Sequence, residues 1–142
     1  MDIRRSPPTD ARFTSWSTQR LATRQYSQMN LDTIYFEVGD SDAVDKAVRF
    51  YSEHFALEVT SAEEGESAWM RAGALTLGFH VGDAPSNPWT FNLGFSVGDV
   101  DAEVDRLENA GVGISVAPYD APWGRAASLV DPNGFTVWLT QK

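Results

Sequence analysis

Two short stretches of alternating residues hold most of the side chains able to do chemistry. In Thr33-Ile34-Tyr35-Phe36-Glu37 the period of two puts Thr33, Tyr35 and Glu37 on one face, and in Asn92-Leu93-Gly94-Phe95-Ser96 it groups Asn92, Gly94 and Ser96. Two later stretches add Thr76, Gly78 and His80, then Thr136, Trp138 and Thr140. Hydroxyls, an amide, a carboxylate, an imidazole and aromatic rings are the materials of a binding pocket: the rings stack on a planar or amphipathic organic ligand and the polar groups orient it. Gly78 and Gly94 leave volume where larger side chains would close the space. Trp123, just before Gly124-Arg125, is placed to act as a lid or wall, and Arg125 either reaches the ligand or pairs with an acidic neighbour. Glu37 suits a cation-balancing group or a base, with Tyr35 and His80 as the other acid–base candidates, although a strand-end carboxylate equally suits a solvated rim. A lone imidazole such as His80 is more often a structural or rim group than a metal ligand, and His54 falls on a helix as a packing or surface residue.

The elements that must position these residues come as a duplication. Val38-Gly39-Asp40-Ser41-Asp42-Ala43 returns as Val97-Gly98-Asp99-Val100-Asp101-Ala102, each time between an alternating strand and a helical pattern. After a strand over 32–38, Asp40 is placed as an N-cap, and Val44, Ala47, Val48, Tyr51 and Phe55 form an apolar stripe that would lie on a sheet. Strands follow over 57–62, 67–72 and 74–81, and residues 82–88 form a linker. The second module repeats the order. A strand covers 90–97, Asp99 caps a helix carrying Val100, Val104 and Leu107, Gly111 closes it, and strands occupy 112–118, 125–131 and 135–140. Turns are expected at 119–122 and 131–134. Trp69 is expected in the core or an interface, and Trp89 with the linker. The expected fold class is α+β: two tandem βαβββ modules, over 30–81 and 90–141, whose curled sheets enclose a cleft.

With 142 residues and 42% hydrophobic content the chain has ample material for one core. It contains no cysteine, which excludes disulfides and thiolate metal sites. No apolar run approaches the roughly 20 residues that a membrane helix needs, and a cytoplasmic location is expected. The net charge of −9 hides an asymmetry. Residues 1–28 carry Arg4, Arg5, Arg12, Arg20 and Arg24 against Asp2 and Asp10, so nearly all the acidic charge lies beyond them. That segment reads as a flexible basic arm preceding a domain over 29–142, with Met29 as an alternative start. The acidic domain repels phosphate and disfavours nucleic acid, while it concentrates cationic molecules near its surface.

The element order, the two Val-Gly-Asp-x-Asp-Ala helix starts, Phe50-Tyr51, and Trp123-Gly124-Arg125 followed by Asp131-Pro132-Asn133-Gly134 together resemble the vicinal oxygen chelate superfamily. That superfamily includes glyoxalases, extradiol dioxygenases, fosfomycin-resistance enzymes and bleomycin-resistance proteins. The resemblance covers residues 30–141 and implies paired βαβββ modules, often in a dimer, with the site inside the curled sheets. It also implies a divalent metal held by His, Gln or Glu from the first and last strand of each module, positions that fall here on Thr33, Gly78, Asn92 and Trp138. None of these is a normal ligand for a catalytic divalent ion. The expectation is therefore a homodimeric small-molecule binding protein without metal or other cofactor, of the bleomycin-resistance type. It would sequester an aromatic or cationic compound such as an antibiotic through Thr33, Tyr35, Glu37, Gly78, His80, Asn92, Gly94, Ser96, Trp123, Arg125, Thr136 and Trp138. No catalytic residue, nucleic acid or membrane is involved in that expectation. The alternatives are a divergent lyase, isomerase or dioxygenase, with a displaced metal site or acid–base chemistry by Glu37, Tyr35 or His80, and a regulatory module whose working part is the arm.

Overall fold

The computed structural model describes residues 29–142, so the expected basic arm lies outside the described residues. From Thr33 to Lys142 the chain forms one compact unit. Its first module runs β1 (Thr33–Glu37), α1 (Ser41–Phe55), β2 (Glu58–Glu63), β3 (Ser67–Ala72) and β4 (Leu75–His80). After a 3-10 turn at Pro88–Thr90 the second runs β5 (Asn92–Ser96), α2 (Val100–Asn109), β6 (Ile114–Ala121), β7 (Gly124–Val130) and β8 (Thr136–Gln141). Each makes a four-stranded sheet of the same topology, β1-β4-β3-β2 and β5-β8-β7-β6, and the sheets do not close into a barrel. The α+β class and the twofold βαβββ plan stand as expected from the sequence.

The repeated hexapeptide explains itself at the helix starts. Asp40 Oδ1 accepts the Ala43 amide at 3.0 Å and Asp99 Oδ1 accepts that of Ala102 at 3.0 Å, so the Asp-x-x-Ala spacing is an N-cap and its third helical residue. At the far end of α2, Gly111 takes φ +88 and donates to the Glu108 carbonyl, while Val112 donates to Leu107. That paired pattern is the left-handed glycine stop expected there.

The turn expected over 119–122 is instead mostly strand. Tyr119 pairs with Ala126, Asp120 with Arg125 and Ala121 with Gly124, so only Pro122 and Trp123 are left at the hairpin tip. Two register shifts in β6 absorb Pro118, and Arg125 Nη1 bonds Asp120 Oδ1 at 3.1 Å across the pair. At Gly124 any Cβ would stand 2.3 Å from the Gln141 carbonyl oxygen, which restricts that position to glycine.

The core lies on the helix-covered sides of both sheets. Tyr51, Phe79, Met70, Leu107, Leu129, Phe135, Val137 and Leu139 are all buried there. The modules share this core: Phe36 packs on Phe135 at 4.8 Å between ring centroids, and Phe55 on Phe95 at 4.6 Å. A polar tie crosses the same junction. The Tyr51 hydroxyl donates to Asp131 Oδ2 at 2.7 Å, and Asp131 Oδ1 accepts the amides of Asn133 and Phe135 at 2.9 Å. Burial and the neighbouring carboxylate push the Tyr51 hydroxyl upward, so it stays a donor, and burial pushes Asp131 up despite its bonds.

Candidate functional site

Each helix packs on one face of its sheet, and the other face, open in that no helix among the described residues lies on it, still buries Ser67, Ala126 and Ser128. In the first sheet the register sets three rows on that face: Glu37, His80, Ser67 and Glu63; then Tyr35, Gly78, Trp69 and Ser61; then Thr33, Thr76, Arg71 and Glu58. In the second sheet the rows are Ser96, Thr140, Ala126 and Tyr119; then Gly94, Trp138, Ser128 and Val116; then Asn92, Thr136 and Val130. Strand alternation thus puts ten of the expected residues on open faces: Thr33, Tyr35, Glu37, Gly78, His80, Asn92, Gly94, Ser96, Thr136 and Trp138. Trp123 sits at the β6–β7 hairpin tip with 57% of its surface exposed.

Arg125 is not brought together with them. On β7 it shares the side of Ala127 and Leu129, which face the helix, and its guanidinium grips Asp101 of α2 with two bonds of 3.0 Å. This fork, the Asp99 cap, and Gln141 Oε1 accepting the Val100 amide at 2.8 Å together tie the start of α2 to the sheet. The Arg125 hydrogen bonds hold the Asp101 carboxyl below its usual range.

The two glycines differ. A Cβ at Gly94 would meet nothing within 4 Å, so open volume lies there as expected. At Gly78 the space is already taken, because a Cβ would stand 2.2 Å from the Trp69 ring. Trp69, expected in the core or an interface, lies half-buried on the open face, edge-on to Tyr35 at 5.5 Å between centroids. Alternation alone does not reveal this. The signal was a tryptophan directly beside a glycine across the β3–β4 ladder, the indole filling the space the glycine vacates.

His80 stands next to Tyr35, ring centroids 6.4 Å apart, with Nδ1 2.6 Å from the Val81 carbonyl oxygen. A carbonyl only accepts, so Nδ1 carries a proton, and in the neutral tautomer that this selects Nε2 is the acceptor. In the second sheet Trp138 Nε1 donates to Asn92 Oδ1 at 3.1 Å, which fixes the indole beside the empty space over Gly94.

A divalent metal does not fit the positions implied for it. Gly78 and Trp138 supply no donor, the Asn92 amide oxygen is engaged by the indole, and Thr33 is a weak ligand. Among the described residues no group of three or more His, Asp and Glu side chains is placed to hold a metal ion.

Relatives of known structure share this architecture. An antibiotic binding protein, TnmS3, from Streptomyces sp. CB03234 aligns with TM-score 0.66 and 25% identity over 80% of this chain and 95% of its own. A possible glyoxalase from Bacillus cereus aligns with TM-score 0.67 and 25% identity over 79% of this chain and 98% of its own. A lactoylglutathione lyase from Agrobacterium tumefaciens shares the fold at 19% identity, with TM-score 0.63 over 79% of this chain and 92% of its own. Among curated protein sequences none matches the chain. The profile of the glyoxalase/bleomycin resistance protein/dioxygenase superfamily matches residues 40–139, which include both capped helices and most of both sheets. The chain belongs to that superfamily.

Proposed function

We propose that this protein sequesters a small aromatic or cationic molecule, of the kind an antibiotic represents, on the open faces of its sheets, as a homodimer and without a metal. The observation that carries the reading is Trp138. It stands where the superfamily resemblance implies a metal-binding carboxylate, its indole is held by Asn92 at 3.1 Å, and the space over neighbouring Gly94 is vacant. An indole there turns an ion site into a stacking surface. Tyr35, Trp69 and His80 supply the aromatic counterpart on the other sheet, Thr33 and Ser96 add hydroxyls for orientation, and Thr136, which donates to the Trp89 carbonyl at 3.0 Å, adds an acceptor oxygen. The likeness to TnmS3 agrees with a binding role. A homodimer fits the same reading: among the described residues no helix lies on either open face, and a second copy would turn two such surfaces into one cleft.

The test joins metal analysis to titration. Purified protein is expected to hold no stoichiometric zinc, iron, nickel or manganese after mild dialysis; about one ion per chain would overturn the metal-free reading. Replacing Trp138 with Ala should weaken binding of planar aromatic compounds by about 1–3 kcal/mol in calorimetric titration. Unchanged affinity in a folded variant would remove the stacking surface from the site.

A further inference from the structure

The two open faces are chemically unequal. The rows of the second are uncharged: Trp138 is bordered by Ser128, Thr136, Thr140 and Asn92, with Val116, Tyr119 and Val130 partly exposed farther out. The first has an aromatic row, Tyr35 and Trp69, directly beside a row of acceptors, Glu37 and His80. We infer that the first sheet reads the charged end of the ligand, as a half-cage selecting a planar organic cation that carries N–H donors. This rests on the binding role proposed above and assigns its polarity.

Five observations support the assignment. Glu37 and His80 are register partners on parallel strands, so their side chains stand side by side. Glu37 is seated: its carboxyl carbon lies so close over Gly82 that a Cβ there would be 2.6 Å away, so glycine at 82 leaves room for the carboxylate to fold against the strand end. The Val81 carbonyl holds His80 Nδ1 at 2.6 Å, which leaves Nε2 as the ring nitrogen not engaged by that carbonyl. The Tyr35 ring lies between His80 and Trp69, giving a cation aromatic electron density beside a formal negative charge. The basic side chain of this face, Arg71, is two residues along from Trp69 at the far end, 3.8 Å from Glu58. An anion would meet acceptors at the Glu37 end, and a neutral ring would leave the carboxylate without a partner.

Isothermal titration with three planar probes tests this: proflavine, a cation with N–H donors; acridine, held neutral by pH; and anthracene-2-carboxylate, an anion. Proflavine should bind about tenfold more tightly than acridine, and the anion most weakly. Glu37→Gln should bring proflavine down to the affinity of acridine while acridine is unmoved. Glu108→Gln removes the same charge from α2 and should change nothing. Equal loss of proflavine binding in both variants would overturn the inference in favour of the diffuse field of an acidic protein. Equal binding of proflavine and acridine to the unaltered protein would overturn charge selection while leaving the binding role intact. Failure of all three probes would overturn both.

Discussion

Tyr51 and Asp131 lie 80 residues apart in the chain, and their 2.7 Å hydrogen bond joins the first helix to the last turn of the second sheet. Each half was readable by itself: Tyr51 sat in an apolar helical stripe and Asp131 opened an Asp-Pro-Asn-Gly turn. Their meeting was not, because nothing local in either segment encodes a partner in the other module. Tyr51→Phe keeps the ring but leaves a buried carboxylate oxygen without its donor, and should cost about 1–3 kcal/mol in urea unfolding. Asp131 gives the pair a pH signature. Its folded-state value is raised, so the native protein holds a proton that the unfolded chain releases first, and this group's contribution to stability falls as pH rises from 3.8 toward the raised value. Across that window Asp131→Asn should gain stability relative to the unaltered protein as pH rises. A gain in the opposite direction would show that the hydrogen bonds outweigh burial.

At the scale of elements, the period of two placed ten candidate side chains correctly relative to the helices because one face of each sheet is buried and leaves no freedom in register. It did not decide Arg125, which the sequence left either reaching a ligand or pairing with an acidic neighbour; the structure shows the pairing. The expected turn was strand, and the residue after Gly124 lands on the helix side, where α2 presents Asp101. Arg125→Gln should therefore lower the urea midpoint, more at low salt than at high, and leave the affinity for planar probes unchanged. Weakened probe binding with unchanged stability would return Arg125 to the site. The sign of the linked acid effect follows from Asp101: its carboxyl is lowered by Arg125, so the stability from the pair is present above the ordinary value of 3.8 and fades as pH falls through the lowered one. The occupied space at Gly78 was illegible for a different reason. Sequence shows a missing side chain, whereas only the cross-strand neighbour shows whether the gap is open.

For the whole molecule, the notable fact is where apolar surface remains. Tyr35 is 54% exposed and Trp123 57%, while Val116, Tyr119 and Val130 add to the apolar surface of the second sheet. Such a patch favours a second copy, and sedimentation velocity is expected to find a dimer at micromolar concentration. A monomer across that range would leave each face to bind alone. No helix among the described residues is long and apolar enough to cross a membrane, so the exposed rings are not part of a helical span.

The packing of each helix on one face of its own sheet separates two inheritances. The rings that hold the chain together, Phe36, Tyr51, Phe79, Phe95 and Phe135, pack on the helix side of the sheets, and the candidate binding groups stand on the other. Under the proposed function, exchanging Tyr35, Ser96 or Trp138 would alter what is recognised and remove little from the helix-side packing, and a side chain at Gly94 would add a group to that face without displacing a neighbour. A scaffold of this kind can drift from one guest molecule to another by single substitutions, each intermediate still folded, because taste and integrity are written on alternate residues.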